Sequence, residues 1–213
     1  MAAGAVVLAT LAGGALLAVA MSVYPGGNVV DPGAAGHSLW FNFLCDLTND
    51  VAVNGCSNHA TAPLARAALL VLSVAVAAFW LAVPSCFAER RAYGRLVTPL
   101  GLLSVAGLLA VPVAAGSLHQ IAIFAAAVPG LLAGILAIIG ITRGGHAWAL
   151  MTVGSASVGL ALLDAVLYAR SFMDHPRVVS AALPLFQRLA LFSMVAWMAA
   201  VAVRVLRTRG TRR

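Results

Sequence analysis

Six apolar runs, each about 20 residues long, constrain this chain more than any other feature it has. They cover roughly residues 3–23, 62–83, 96–118, 120–142, 147–169 and 178–206. A helix rises about 1.5 Å per residue, so a run of that length crosses a hydrocarbon core about 30 Å thick. Lipid offers the backbone no hydrogen-bond partner, so each run must satisfy its own N–H and C=O groups, which an α-helix does. The short alternating segments of a membrane β-barrel are absent. The runs predict an all-α fold, a polytopic six-transmembrane-helix bundle, with residues 1–213 forming a single integral membrane domain. The last run is long enough to tilt or to extend past the membrane. Composition agrees: 62% of residues are hydrophobic and 9% charged, against roughly 45–50% and about 25% in a soluble domain. That excludes a soluble enzyme, a disordered tail and a nucleic-acid module, and makes membrane lipids the expected partners.

The net charge of +7 rests on 13 basic residues, all of them arginine. Nine of the 13 fall on one side of the six-run topology: Arg90, Arg91, Arg95, Arg143, Arg204, Arg207, Arg209, Arg212 and Arg213. Arg66, Arg170 and Arg177 fall on the other, and Arg188 lies within the last run. The positive-inside rule then predicts a cell-membrane protein with both termini in the cytoplasm and the long connection after the first run outside. Ala5 to Ala20, with Ala18-Val19-Ala20 at its end, could be the apolar part of a signal peptide. No Arg or Lys precedes Arg66, however, so a retained helix is expected.

The connection from Tyr24 to Thr61 is the one long loop, and it carries the turn signals Pro25-Gly26-Gly27 and Asp31-Pro32-Gly33. Its middle, Ser38 to Leu47, is too apolar for disorder and predicts a short amphipathic helix lying on the membrane or dipping into the bundle. In such a helix Asp46 and Asp50 would share a face. Cys45 and Cys56 lie on the outer, oxidising side, which permits a disulfide between them; two free, partly buried thiols are the alternative.

Charges inside a membrane are costly and demand an explanation. Asp164 lies within the fifth run and Arg188, with Gln187 beside it, within the sixth. Counted from the turn around Asp174-His175-Pro176, their depths differ by only about 3 Å, so the two can face each other as an antiparallel pair. The pair is either an ion pair that fixes helix register, or a ligand site in which Arg188 binds an anionic head group and Asp164 tunes it. His37, His59, His119 and His175 also fall on the outer side. His37, His59 and His119, with Asp46, could hold a zinc with one position open to water, or the imidazoles simply bond water and head groups at the interface. No HxxxH, HExxH or GxSxG occurs. Gly130-Leu131-Leu132-Ala133-Gly134 is a GxxxG helix-contact pattern, and Pro84, Pro99, Pro112, Pro129 and Pro184 should kink or end helices.

At Tyr24-Pro25-Gly26-Gly27 and again from His37 to Leu47 (HSLWFNFLCDL), the chain resembles the six-helix bacterial and archaeal membrane proteins grouped as DUF998, themselves distantly similar to the Frag1/DRAM/Sfk1 membrane proteins. Cys45 stands where serine is common in that segment. The resemblance implies six helices and a membrane role, gives no reaction, and singles out Asn42 and Asp46 as loop residues of interest. A weaker similarity is to the membrane hydrolases that include alkaline ceramidases and progestin/adipoQ receptors, which hold zinc through three histidines in a seven-helix bundle. This chain lacks their HxxxH and their seventh helix.

Three functions follow as expectations. The first is binding of a lipid or small amphipathic ligand at an outward-facing polar cavity through Asp164, Arg188, Gln187, Asn42 and Asp46. The second is zinc-dependent hydrolysis of lipid through His37, His59 and His119. The third is a structural or partner subunit of a membrane complex, in which the polar pair only sets helix packing.

Overall fold

The computed structural model describes residues 1–87, 90–142, 148–173 and 181–210. They form α1 (Ala2–Ser22), α2 (Ala62–Ala82), α3 (Arg90–Ala110), α4 (Ser117–Thr142), α5 (Trp148–Met173) and α6 (Leu183–Gly210), with 3-10 turns at Cys45–Thr48 and Val83–Cys86. All six helices are long and apolar enough to cross a membrane. Leu8, Leu11, Val74, Leu103, Ile121 and Leu132, on four different helices, are exposed on the outside of the bundle. In water an apolar girdle of this extent would drive aggregation, whereas lipid is its matching solvent. The fold is thus an all-α bundle of six spans, that of a multi-pass membrane protein.

Consecutive helices are neighbours throughout, and α6 also touches α2. Helices α2 to α6 therefore close into a ring, and α1 packs outside it against both α2 and α6. Small residues allow the close approaches, because lipid tails leave packing rather than the hydrophobic effect to hold spans together. On α2, Ala65, Ala68, Ala75, Ala78 and Ala82 recur at helical spacing and are all buried. A Cβ on Gly107 of α3 would fall 2.4 Å from the backbone nitrogen of Ala126 on α4, so there the two backbones touch. In the GxxxG pattern, a Cβ on Gly134 would strike Val158 of α5 at 2.7 Å, and one on Gly130 would meet Ser104 of α3 at 3.3 Å.

Two helices differ from their apolar runs. α3 begins at Arg90 and ends at Ala110 instead of spanning 96–118. A turn follows it, built on Pro112, which lacks an N–H, and on Gly116, whose φ is +58°. Because Val, Pro and Ala make up most of that turn, hydropathy runs straight through it. The described part of α6 begins at Leu183, with Pro184 in its first turn where a missing N–H costs nothing. The predicted start at Val178 lies outside the described residues.

The loop from Tyr24 to Thr61 folds over the end of the bundle where α2, α4 and α6 begin. Isolated bridges Gly26–Ala35 and Val51–Ser57 shape it. Gly27 must be glycine: its φ is +82°, and a Cβ would lie 2.4 Å from the nitrogen of Asn54. The Asn58 amide donates to the carbonyls of Leu47 (3.2 Å) and Asn49 (2.7 Å), and the Thr61 hydroxyl donates to the carbonyl of Val23 (3.1 Å). The amphipathic helix expected over Ser38–Leu47 is not formed; only the Cys45–Thr48 turn is helical. Side chains take two backbone donors that such a helix would use in its ladder: Asp46 Oδ2 accepts from the Phe43 N–H (2.8 Å) and Gln187 Oε1 from the Leu44 N–H (3.0 Å), while Asn42 Oδ1 accepts from the Ser38 N–H (2.9 Å). Asp46 and Asp50 consequently part company. Asp46 turns inward and is buried, while exposed Asp50 pairs with Arg66 at 2.8 Å.

Candidate functional site

Asn42, Asp46, Gln187 and Arg188 meet in one buried network where the loop rests on α6. Asn42 and Arg188 are both 0% exposed. Arg188 Nε donates to the Leu39 carbonyl (3.1 Å), Nη2 to the Asn42 carbonyl (2.9 Å) and Nη1 to Gln187 Oε1 (3.2 Å). The Leu44 N–H donates to the same Gln187 oxygen (3.0 Å). From the loop side, Asn42 Nδ2 donates to the Gly27 carbonyl (2.7 Å) and to Asp46 Oδ2 (3.0 Å). One planar cation thus ties three loop backbone groups, directly or through Gln187, to a span. The Asp46 charge is relayed to it through Asn42. The fork geometry of guanidinium suits this role, since its donors lie in one plane and carbonyls are fixed acceptors.

Burial dominates the electrostatics of this region. It pushes the Asp46 carboxyl above its ordinary value, opposed by the Asn42 and Phe43 hydrogen bonds and by the nearby Arg188 charge. Burial also pushes the Cys45 thiol up to about 12, with the Asp46 charge adding to it. His37 stands edge-on to Tyr24 with ring centroids 5.8 Å apart. Its pKa is lowered to about 4 by burial and then by Arg188.

Beneath the network lies a cavity of about 390 Å³ inside the ring of α2 to α6, roofed by Phe43, Leu44 and Cys45 of the loop. It reaches down to Trp80 and Trp197, which with Phe79 form an aromatic cluster at centroid distances of 4.8 to 6.4 Å. The indole of Trp197 is seated against Gly154 of α5 and Gly134 of α4, and Trp80 against Gly101 of α3. Neither indole N–H has an acceptor among the described residues. The wall is largely aliphatic, with His119, Asp164, Tyr168, Gln187, Ser73, Ser104 and Ser157 as its polar exceptions.

Several expectations are corrected by this geometry. Asp164 and Arg188 do not pair. Asp164 sits nine residues before the end of α5 and Arg188 five residues into α6, depths that differ by about 6 Å. Arg188 donors are satisfied by the loop, and Arg188 does not line the cavity. The zinc set does not assemble: His37 packs on Tyr24, His59 is exposed, and His119 Nδ1 donates to the Val111 carbonyl (3.0 Å). No group of three metal-ligating side chains occurs among the described residues. His175 lies outside them. The Cys45–Cys56 bridge is not formed either; both thiols are free. Cys45 faces the cavity from the 3-10 turn, whereas Cys56 is exposed on the Val51–Ser57 hairpin.

Sequence reasoning did not find the roof residues Phe43 and Leu44, the aromatic floor, or Asn58 as an anchor. An asparagine in a polar loop carries no mark of what it will bond. No protein-family model matches the chain, and no curated protein or solved structure matches it.

Proposed function

We propose that this chain is a cell-membrane protein that holds one lipid-like or small amphipathic molecule in the cavity of the α2–α6 ring, beneath the loop. Both termini lie in the cytoplasm and the loop faces outward. The observation that carries the reading is the cavity itself. It is largely aliphatic, has a few polar groups on its wall, and its volume of about 390 Å³ falls within the range of sites for one small ligand. The arginine distribution supports the orientation: described Arg95, Arg204 and Arg207 lie at the end of the bundle away from the loop. The DUF998-like segment of the loop is the part that roofs the cavity, so the resemblance and the site fall on the same residues.

The test is native mass spectrometry of the protein released from nanodiscs, beside an Ala161→Phe variant that fills the cavity from α5. The expected result is a co-purifying amphiphile on the parent chain and its loss from the variant, with thermal stability retained. An identical set of bound species on both proteins would overturn the reading.

A further inference from the structure

Arg188, the cation that would have recognised an anionic head group, lies under the loop and off the cavity wall. Among the described residues that line the cavity, Asp164 is the one carboxyl, and no arginine lines it. Apart from the indole N–H groups of Trp80 and Trp197 at the floor, the other polar side chains named on the wall are engaged. Ser73 and Ser104 donate to the carbonyls of Leu69 and Gly101, and Ser157 to the Met194 sulfur. His119 and Gln187 hold the Val111 carbonyl and the loop, and Tyr168 is also engaged. Asp164 is half-buried and makes no hydrogen bond or ion pair among the described residues. A carboxylate in an apolar cavity without a partner is costlier than the neutral indole N–H groups at the floor, so its demand for a counter-group dominates. The cavity runs from the loop to Trp197, fourteen residues into α6, a depth of about 21 Å. The cavity thus extends along the helix axes, with room for an alkyl chain to run from the loop to the indoles.

We infer that the occupant is a single-chain amphiphile with a cationic ammonium head, the ammonium paired with Asp164 and the chain running down between α2 and α6 toward Trp80 and Trp197. The inference rests on the proposed ligand-holding cavity and names the chemistry of its ligand. Charge complementarity selects against the alternatives. An anionic head would meet Asp164 with no cation on the wall, and a neutral one would leave the carboxylate unpaired.

The test uses terminally brominated undecyl chains bearing an ammonium, hydroxyl or carboxylate head. They are titrated at neutral pH into the full chain in nanodiscs and followed by quenching of tryptophan fluorescence. A Trp40→Phe/Trp148→Phe background leaves Trp80 and Trp197 as reporters. The expected result is binding of the ammonium probe about tenfold or more tighter than the alcohol, with the carboxylate weakest. Asp164→Asn should then bring the affinities for ammonium and alcohol together. Equal binding of ammonium and alcohol by the parent chain, or preference for the carboxylate, would overturn the inference and leave the cavity reading standing. So would an ammonium preference that survives Asp164→Asn. Failure of all three probes to quench, or quenching unaltered by Ala161→Phe, would overturn both. The three-probe comparison needs no variant of Asp164, so it decides even if that variant does not fold.

Discussion

Arg188 is the residue on which the loop depends. Replacing it with alanine leaves the Leu39 and Asn42 carbonyls and the Asp46 charge without their cation, and removing one side of a buried charged network costs about 3–5 kcal/mol. Lysine keeps the charge but not the fork, so Arg188→Lys should recover only a small part of that loss. Both variants should show faster cleavage of the 24–61 loop under limited proteolysis, together with a lower Tm in detergent. Loop cleavage at the parental rate in Arg188→Ala would contradict the role assigned to it. His37 makes a separate, pH-dependent contribution. Its folded pKa of about 4 lies below the ordinary 6.5, so the unfolded chain takes up the proton first as pH falls. Stability from this group is complete above about pH 6.5 and is lost progressively toward about pH 4. His37→Gln should therefore flatten the fall of Tm across that window relative to the parent chain; an unchanged acid limb would refute the assignment.

At the scale of helices, the contacts are set by where a side chain is missing. Gly107→Ala places a methyl against the backbone of Ala125 and Ala126, which cannot move out of the way as a flexible side chain could. α3 and α4 would be forced apart, at a cost of about 1–3 kcal/mol. Gly159 on α5 has nothing within 4 Å of its Cβ position. Gly159→Ala should be neutral or stabilising by about 0.4–1 kcal/mol, through the unfolded chain. Unfolding of the two variants in mixed micelles separates these outcomes, and similar effects at both positions would show that close helix approach is not what Gly107 provides. The loop makes the complementary point. Ser38–Leu47 has the residues of an amphipathic helix, yet Asn42 and Asp46 divert its backbone into turns.

For the whole molecule, the ring of five helices with α1 outside accounts for both the cavity and its roof. The orientation has a direct test in the cysteines. Cys56 is exposed at the loop end, whereas the Cys45 thiol is pushed up to about 12 by burial. A membrane-impermeant maleimide applied to intact cells should label the protein through Cys56, and Cys56→Ser should abolish the label. Labelling that requires permeabilised cells would reverse the topology and put the loop in the cytoplasm.

Most of the architecture was legible in the chain. Six spans, the absence of strands among the described residues and the position of the long loop follow from local quantities, because the solvent acts on each apolar run separately and each helix satisfies its own backbone. Asn42, Asp46, Gln187 and Arg188 stood out in the chain as expected ligand contacts, and the structure joins them in one buried hydrogen-bond network. The two loop residues came from a resemblance and the two on α6 from a charge in an oily run. Tertiary structure alone decided that Arg188 bonds loop carbonyls instead of Asp164. It also decided that His37, His59 and His119 stay apart, that Cys45 and Cys56 face different surroundings, and that a cavity exists. The physical reason is that pairing depends on depth, helix ends and facing angle. A turn such as that around Pro112 shifts these by several residues without leaving a trace in hydropathy.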